Sequence, residues 1–282
     1  IHGFNNDFDA AVVRTAEAWH FGGRIGVPIA FSWPAGAGGL KGYATDRESG
    51  EYAVVHLKLL LWALAECPGL EKIHIVSHSR GTDVASTALR ELNAEIRGVN
   101  RTSLWVPAAE IVDIEQRRAD IAPVYETLKI ETFVMAAPDM DIDVFVQRFF
   151  GENVLRAAKK VVIYFSEDDK ALGLAHWLFR GRARVGDIRE ADIPPESRAY
   201  LESLTSLEFI NCRVKGGSSH AYVLQHPAAM SDLLLLLRDG AAAGSPQRPL
   251  KKESPGIWEL DNDYLEPAGA PTASHESTHI YR

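Results

Sequence analysis

Apolar and polar positions follow two alternating periods along this chain. Short runs rich in β-branched residues alternate with longer stretches in which apolar residues recur every three or four positions. The first pattern is typical of buried strands and the second of amphipathic helices. Their regular alternation predicts βαβ units and hence an α/β fold, in which helices flank a mainly parallel sheet.

Five strands and five helices are predicted from this pattern. The strands are expected at residues 27–33, 72–77, 131–137, 160–166 and 207–214. The helices are expected at residues 6–21, 47–65, 82–97, 142–159 and 221–238. We therefore expect one main domain over residues 1–238.

Two regions depart from the alternation. Segment 98–128 is longer than a usual helix-to-strand connection of about 2 to 6 residues, so a lid-like excursion over the active face and a surface loop without a role are both open. From Gly240 onward, Pro, Gly, Ala and Ser predominate. This composition predicts a flexible C-terminal tail over residues 239–282, in which the more apolar island 256–265 could dock on the body or on a partner.

Composition narrows the classes of function. The net charge is -8, and sequence-independent nucleic-acid binding is not expected because it needs clustered Lys and Arg. Cys67 and Cys212 are too few for a disulfide framework or a thiolate metal cluster. No apolar run reaches the roughly 20 residues that would span a membrane.

The first residues resemble the end of a strand that leads into a loop. The chain starts with Ile1 rather than Met, in "IHGFNND". We therefore expect the first strands of the sheet upstream of residue 1. The visible chain favours a cytoplasmic location, with a signal peptide in an upstream segment as the alternative.

Ser79 lies where a predicted strand meets a predicted helix, in "VSHSRG" at residues 76–81. A sharp strand-to-helix turn needs small residues two positions before and after a nucleophile, and Ser77 and Gly81 meet this need. Such a turn raises Oγ above the sheet, next to the amides that begin the helix. Ser77 replaces the first Gly of the G-x-S-x-G pattern. The alternative is that Ser79 only caps the helix.

A nucleophilic serine needs a base within reach. His220 follows the last predicted strand, after the turn "GGSS", and is the preferred candidate. His226 is the rival, but it precedes Pro227 inside a predicted helix. The order Ser, Asp, His along the chain is the one expected for a nucleophile on such a turn.

An acid is needed to orient the base. In an open α/β sheet this acid is expected in a loop at the carboxyl end of a strand. Asp169 is the first choice because it follows the strand at 160–166. Asp168 is the second choice, and Asp139, which follows an earlier strand, is the third.

Two backbone amides are predicted to bind an oxyanion. One belongs to Arg80, directly after the nucleophile, and the other to Phe4 in the loop "HGF". Gly3 would allow this loop to approach closely. Asn5 is the alternative donor, and the alternative for His2 is a plain turn with local hydrogen bonds.

No metal or cofactor is predicted. The run "DMDID" suggests a calcium loop starting at Asp139, but such a loop would need Gly where Val144 stands and Glu where Phe150 stands. A serine-dependent reaction needs neither group.

Seven motifs in order make the chain similar to a known family. They are "IHGFNNDFDAAVVRTA", "PIAFSWPAG", "YATDRESGEYA", "IHIVSHSRG", "MAAPDMDIDVF", "YFSEDDKAL" and "GGSSHAYVL". Together they resemble the bacterial α/β-hydrolases grouped as DUF900, over roughly residues 1–238. The resemblance implies an α/β-hydrolase fold with a triad at Ser79, Asp169 and His220, an oxyanion loop at Phe4, and first strands upstream of residue 1.

The resulting hypothesis is a serine hydrolase that acts on small-molecule carboxylic esters through an acyl-enzyme intermediate. Phe4, Trp33 and the region around Trp105 are the candidates for an apolar acyl pocket. The same residues could serve a thioesterase, an amidase or an acyltransferase. A non-catalytic binding protein on the hydrolase fold is the alternative of another class, and the sequence identifies no protein partner.

Overall fold

A computed structural model describes most of the chain. It describes residues 1–35, 39–96, 124–167, 169, 185, 203–214, 220–254 and 256–265. Within these residues, six strands form one sheet. They are β1 (Ile73–His78), β2 (Ile130–Ala136), β3 (Lys160–Phe165), β4 (Leu207–Cys212), β5 (Lys251–Ser254) and β6 (Ile257–Leu260).

The sheet is mostly parallel, with the strand order β1-β2-β3-β4-β6-β5. Only β5 pairs with its neighbour in the antiparallel sense. This architecture confirms the prediction of an α/β fold. Strands β1 to β4 correspond to four of the five predicted strands.

The predicted strand at 27–33 is wrong. Residues 27–33 are described as irregular backbone, and Val27 is 87% exposed. The edge of β1 is occupied by Ile1, because the Ile1 nitrogen donates to Val76 O at 2.8 Å and His78 N donates to Ile1 O at 3.0 Å. Residues 27–33 pair with none of the six described strands.

Seven α-helices lie in the described part of the chain. They are α1 (Phe8–Phe21), α2 (Gly39–Ala65), α3 (Gly81–Ile96), α4 (Val124–Leu128), α5 (Ile142–Val146), α6 (Tyr222–Gln225) and α7 (Pro227–Asp239). None of the described helices is long and apolar enough to cross a membrane.

Two predicted helices are interrupted. The helix expected at 142–159 is divided into α5, a π-helical turn at Gln147–Gly151 and a 3-10 turn at Val154–Ala157. Asn153, with φ of 59°, ends the helical path before the second turn. The helix expected at 221–238 is split before Pro227, because the residue that precedes a proline is held in extended backbone.

The two faces of the sheet carry two separate cores. Phe133 and Ile163 point to the face covered by α2, α3 and α4. Val134 and Tyr164 point to the opposite face, covered by α6 and α7. This alternation follows from the period of two along a strand.

The prediction of a flexible tail is wrong for the described residues after 239. β6 pairs in parallel with β4, and β5 closes the edge of the sheet. Ile257 and Leu260 are 2% and 0% exposed. They belong to the more apolar island 256–265, which docks on the body, one of the two possibilities that the sequence left open. Their burial against β4 favours order. Residues 266–282 lie outside the described part of the chain.

The predicted excursion at 98–128 falls mainly on residues 97–123, which lie outside the described part. Its last residues form α4, whose Val124 and Leu128 are fully buried.

Candidate functional site

Ser79 occupies the turn between β1 and α3. Its φ is 52°, in the left-handed region, which costs a residue with a side chain about 1 to 3 kcal/mol. The turn is held because Ser79 N donates to Ala136 O at 2.9 Å and Thr82 N donates to Ser79 O at 3.1 Å. Backbone strain of this kind is concentrated at functional sites.

The small residues around Ser79 are required by packing. A Cβ atom on Gly81 would lie 2.3 Å from His2 O, so only glycine fits. Ser77 is fully buried, and its hydroxyl donates to Val134 O at 3.0 Å. Ser77 replaces the first Gly of the pattern. Its hydroxyl has a hydrogen-bond partner inside the sheet and does not disturb the turn.

Ser79, His220 and Asp169 form a continuous hydrogen-bonded chain. Ser79 Oγ lies 2.7 Å from His220 Nε2, and His220 Nδ1 lies 2.8 Å from Asp169 Oδ2. The three residues come from the carboxyl ends of β1, β4 and β3. Ser79 and Asp169 are 6% and 3% exposed, so little water competes for these bonds.

The geometry sets the direction of each hydrogen bond. A carboxylate only accepts, so His220 Nδ1 carries a proton and donates it to Asp169. In the neutral imidazole, Nε2 then has a lone pair that can accept from the Ser79 hydroxyl. A serine in this arrangement can lose its proton to the imidazole as it attacks an electrophile.

The rival acid, Asp139, and the rival base, His226, make other contacts. The backbone N–H of Asp139 donates to Ser79 O at 3.3 Å, so Asp139 supports the turn. His226 caps α7, and its Nδ1 accepts from Ala228 N. Asp168 lies outside the described residues. Of the described candidates, Asp169 is the acid that contacts His220.

The loop at residues 1–6 passes directly over Ser79. A Cβ atom on Gly3 would lie 2.7 Å from Ser79 Cβ, so glycine is required there too. Asn5 N donates to Ala35 O at 2.7 Å, which commits that amide to another partner. The side chain of Asn6 donates to Phe4 O at 3.0 Å. Asn6, which the sequence did not single out, thereby fixes the backbone of Phe4, the residue after Gly3.

His2 and Trp33 fix this loop from below. His2 Nδ1 bonds to Gly3 O at 2.9 Å, and its Nε2 accepts from Trp33 N at 3.0 Å. The rings stack with centroids 5.6 Å apart, and Trp33 Nε1 donates to His2 O at 2.8 Å. Burial lowers the pKa of His2, which keeps its ring neutral and able to accept. His2 therefore has one local hydrogen bond, to Gly3, but its other ring nitrogen bonds to the distant Trp33, which the alternative interpretation did not expect.

Trp33 also lines a surface groove of about 510 Å³. The groove runs beside the loop and is lined by Phe8, Phe31 and Trp33 together with smaller residues. Trp33 itself is only 3% exposed. It therefore packs behind the wall of the groove and contributes little accessible surface to it. Trp105, the other predicted pocket residue, lies outside the described part of the chain.

The side chain of Arg80 packs along α3. It forms an ion pair with Asp83 at 3.1 Å, and Asp83 also pairs with Arg148 at 2.5 Å. The guanidinium is thus used to hold the start of the helix. Any role of Arg80 at an oxyanion would rest on its backbone N–H, as the sequence suggests.

His78 is a site residue that the sequence reasoning missed. Its Nε2 lies 3.0 Å from the backbone oxygen of His220, and the two rings are 5.0 Å apart. Burial, followed by the nearby His220, lowers the pKa of His78 to about 4. The only signal in the sequence was its place directly before the nucleophile.

Comparison with known proteins supports one family. A family model described as "Alpha/beta hydrolase of unknown function (DUF900)" matches residues 1–238. This match confirms the resemblance that the seven motifs carry, over the same range. No curated protein and no solved structure matches the chain.

Proposed function

The chain belongs to the DUF900 family of α/β-hydrolases, and on this premise we propose that it is a serine hydrolase of carboxylic esters. The observation that supports the proposal is the chain of two short hydrogen bonds from Ser79 Oγ through His220 to Asp169. Family membership supports hydrolysis in general. The assignment of the nucleophile and of the ester substrate is our inference from this geometry.

In the proposed reaction, Ser79 Oγ attacks the ester carbonyl while His220 Nε2 takes the hydroxyl proton. His220 then donates that proton to the departing alcohol, which leaves an acyl group on Ser79. Water, deprotonated by the same nitrogen, releases the acid and restores the serine. Asp169 holds the imidazole in the required tautomer and stabilises its cationic form.

The oxyanion is proposed to accept hydrogen bonds from the backbone N–H groups of Phe4 and Arg80. The close passage of Gly3 over Ser79 supports the first donor, and the position of Arg80 at the start of α3 supports the second. Both donors are backbone groups on fixed elements, so little reorganisation is needed as negative charge develops.

The groove beside Trp33 is proposed to take the apolar acyl group. Phe8 and Phe31 supply apolar surface there, and Phe8 is 64% exposed. Burial of such surface by an acyl chain is favourable at roughly 25 cal/mol per Å². Trp105 stays a candidate for a further wall of this pocket.

A fluorophosphonate probe tests the nucleophile. We expect the wild-type protein to gain one phosphonyl group on Ser79, measured by intact mass and peptide mapping, and Ser79→Ala to gain none. Ser86→Ala is the matched control, since Ser86 is a buried serine on α3 and should be labelled as in the wild type. Equal labelling of Ser79→Ala would show that the nucleophile is wrong.

Matched substrates test the reaction class. Esters, thioesters and amides that share one acyl chain should be hydrolysed with the ester preferred by kcat/KM. A preference for thioesters or amides would move the protein to that class, and acyl transfer to an added alcohol would indicate an acyltransferase. Binding of the ester without turnover or labelling would favour a non-catalytic protein.

A further inference from the structure

We propose that His78 is a positioning residue, which holds the proposed general base against the nucleophile through one N–H···O=C hydrogen bond. This inference rests on the function proposed above and assigns a role to a residue outside the Ser79, His220 and Asp169 chain. Its evidence is the contact between His78 Nε2 and the backbone oxygen of His220 at 3.0 Å.

The direction of the bond follows from the partner. A carbonyl oxygen only accepts, so His78 Nε2 must carry the proton. A neutral imidazole has a single N–H, and this contact uses it. His78 Nδ1 faces the other loop of the site, because a Cβ atom on Gly3 would lie 3.2 Å from it. One ring therefore lies between the loop over Ser79 and the residue that acts on Ser79.

The location of His78 makes this contact useful. His78 ends β1, directly before Ser79, and β1 is paired with β2 along its length. His220 lies beyond the end of β4 in the chain, and β1 and β4 are not neighbours in the sheet. The hydrogen bond ties the backbone of His220 to the same rigid strand that carries the nucleophile.

The charge of His78 also fits this role. The His78 and His220 rings lie 5.0 Å apart, and His220 becomes a cation during the proposed reaction. A second cation at this distance would oppose that step. A side chain that donates one hydrogen bond and stays neutral avoids the conflict, which a lysine or arginine at this position would create.

Substitutions that differ in reach test the hydrogen bond. Gln places an amide N–H near the position of His Nε2, whereas Asn is one carbon shorter and Leu has no donor. We expect His78→Gln to be labelled by fluorophosphonate within about threefold of the wild-type rate. His78→Asn and His78→Leu should be slowed about tenfold or more, because a displacement of about 1 Å costs up to about 10²-fold.

Further readouts separate positioning from folding. The loss should fall on kcat for a good ester with KM nearly unchanged, and thermal unfolding should show the Asn and Leu variants folded at the assay temperature. In the wild type, ¹⁵N–¹H NMR of the imidazoles should show His78 as the neutral Nε2–H tautomer. That measurement does not depend on catalysis.

The outcomes are distinguishable. An Nδ1–H tautomer at His78, or wild-type labelling of a folded His78→Leu variant, would overturn the positioning role while the proposed function stands. A loss in His78→Gln as large as in His78→Leu would also overturn it, because packing of the ring would then be the cause. Wild-type protein that is never labelled at Ser79 would overturn both.

Discussion

Two buried carboxylates in this protein, Asp169 and Asp232, are used in opposite ways. Asp169 accepts a hydrogen bond from His220 Nδ1, and His220 Nε2 bonds to the hydroxyl of Ser79. The His220 side chain is 22% exposed. Asp232 is fully buried and lies in a closed cluster with Arg248. The Ser79 hydroxyl stands at the end of its hydrogen-bond network and can react with a substrate. The Asp232 cluster, in contrast, can only stabilise the fold.

The cluster around Asp232 is rich in strong bonds. Arg248 binds it in a bidentate manner, with both distances 2.9 Å. Tyr164 and Tyr264 donate to its two oxygens at 2.6 and 2.7 Å. Arg248 also donates to Glu208 at 2.6 Å. Charges that are taken out of water are tolerated only when they are paired and bonded in this way.

The pKa values of the groups around Asp232 fit a structural role. Burial and then the nearby Asp232 raise the pKa of Tyr164 well above its usual value, so Tyr164 stays a donor. Burial opposes the charge on Glu208, but Arg248 and Lys160 outweigh it and lower the pKa of that carboxyl. Tyr164 and Glu208 are therefore expected to keep one protonation state each over the neutral range.

Asp169→Asn is expected to have the largest effect on activity. An amide at this position would favour the wrong tautomer of His220, and kcat for ester hydrolysis should fall by about 10⁴-fold, with little change in unfolding free energy.

Asp139→Asn is the control, because the contact of Asp139 with Ser79 runs through its backbone N–H. We expect it to lower kcat by less than about tenfold. A larger loss at Asp139 than at Asp169 would exchange the two acids.

Arg248→Met is expected to lower stability and to leave the reactivity of Ser79 unchanged. It leaves the buried Asp232 without its cation and Glu208 with Lys160 alone, which should lower the unfolding free energy by about 3 to 5 kcal/mol, measured by urea denaturation. The protein that remains folded should keep its rate of fluorophosphonate labelling.

Arg213→Met is the matched control, because Arg213 is 47% exposed and pairs with Glu253 and Glu259. This loss should stay below about 1 kcal/mol. Comparable losses at Arg248 and Arg213 would show that burial of the cluster adds nothing.

A further expected effect concerns acid stability. His78 has a folded-state pKa of about 4, against about 6.5 for an unfolded chain. Between these values the unfolded state binds the extra proton, so the stability contributed by neutral His78 is complete above about pH 6.5 and is lost as the pH falls toward 4. His78→Gln should therefore lose less unfolding free energy than the wild type between pH 7 and pH 4. Parallel curves for the two proteins would show that His78 titrates normally.

Sequence reasoning was most successful where local rules apply. The strand, turn and helix around Ser79 were predicted because apolar periodicity and two small residues specify such a turn. It failed at 27–33, where β-branched residues predict a strand but the segment pairs with none of the described strands. After Gly240, the Pro-rich and Gly-rich composition wrongly predicts a flexible tail, whereas the more apolar island 256–265 does dock on the body through β6.

The sequence by itself determined the chemical groups and their order along the chain. It placed Ser79 on a sharp turn and made Asp169 and His220 candidates in later loops, because these features depend on neighbouring residues. Only the tertiary structure decided three contacts. Asp169 bonds to His220, His78 bonds to the backbone oxygen of His220, and Arg248 is buried beside Asp232. These contacts join residues far apart in the chain, and they form only when the strands have found their partners and the loop-closure entropy has been overcome.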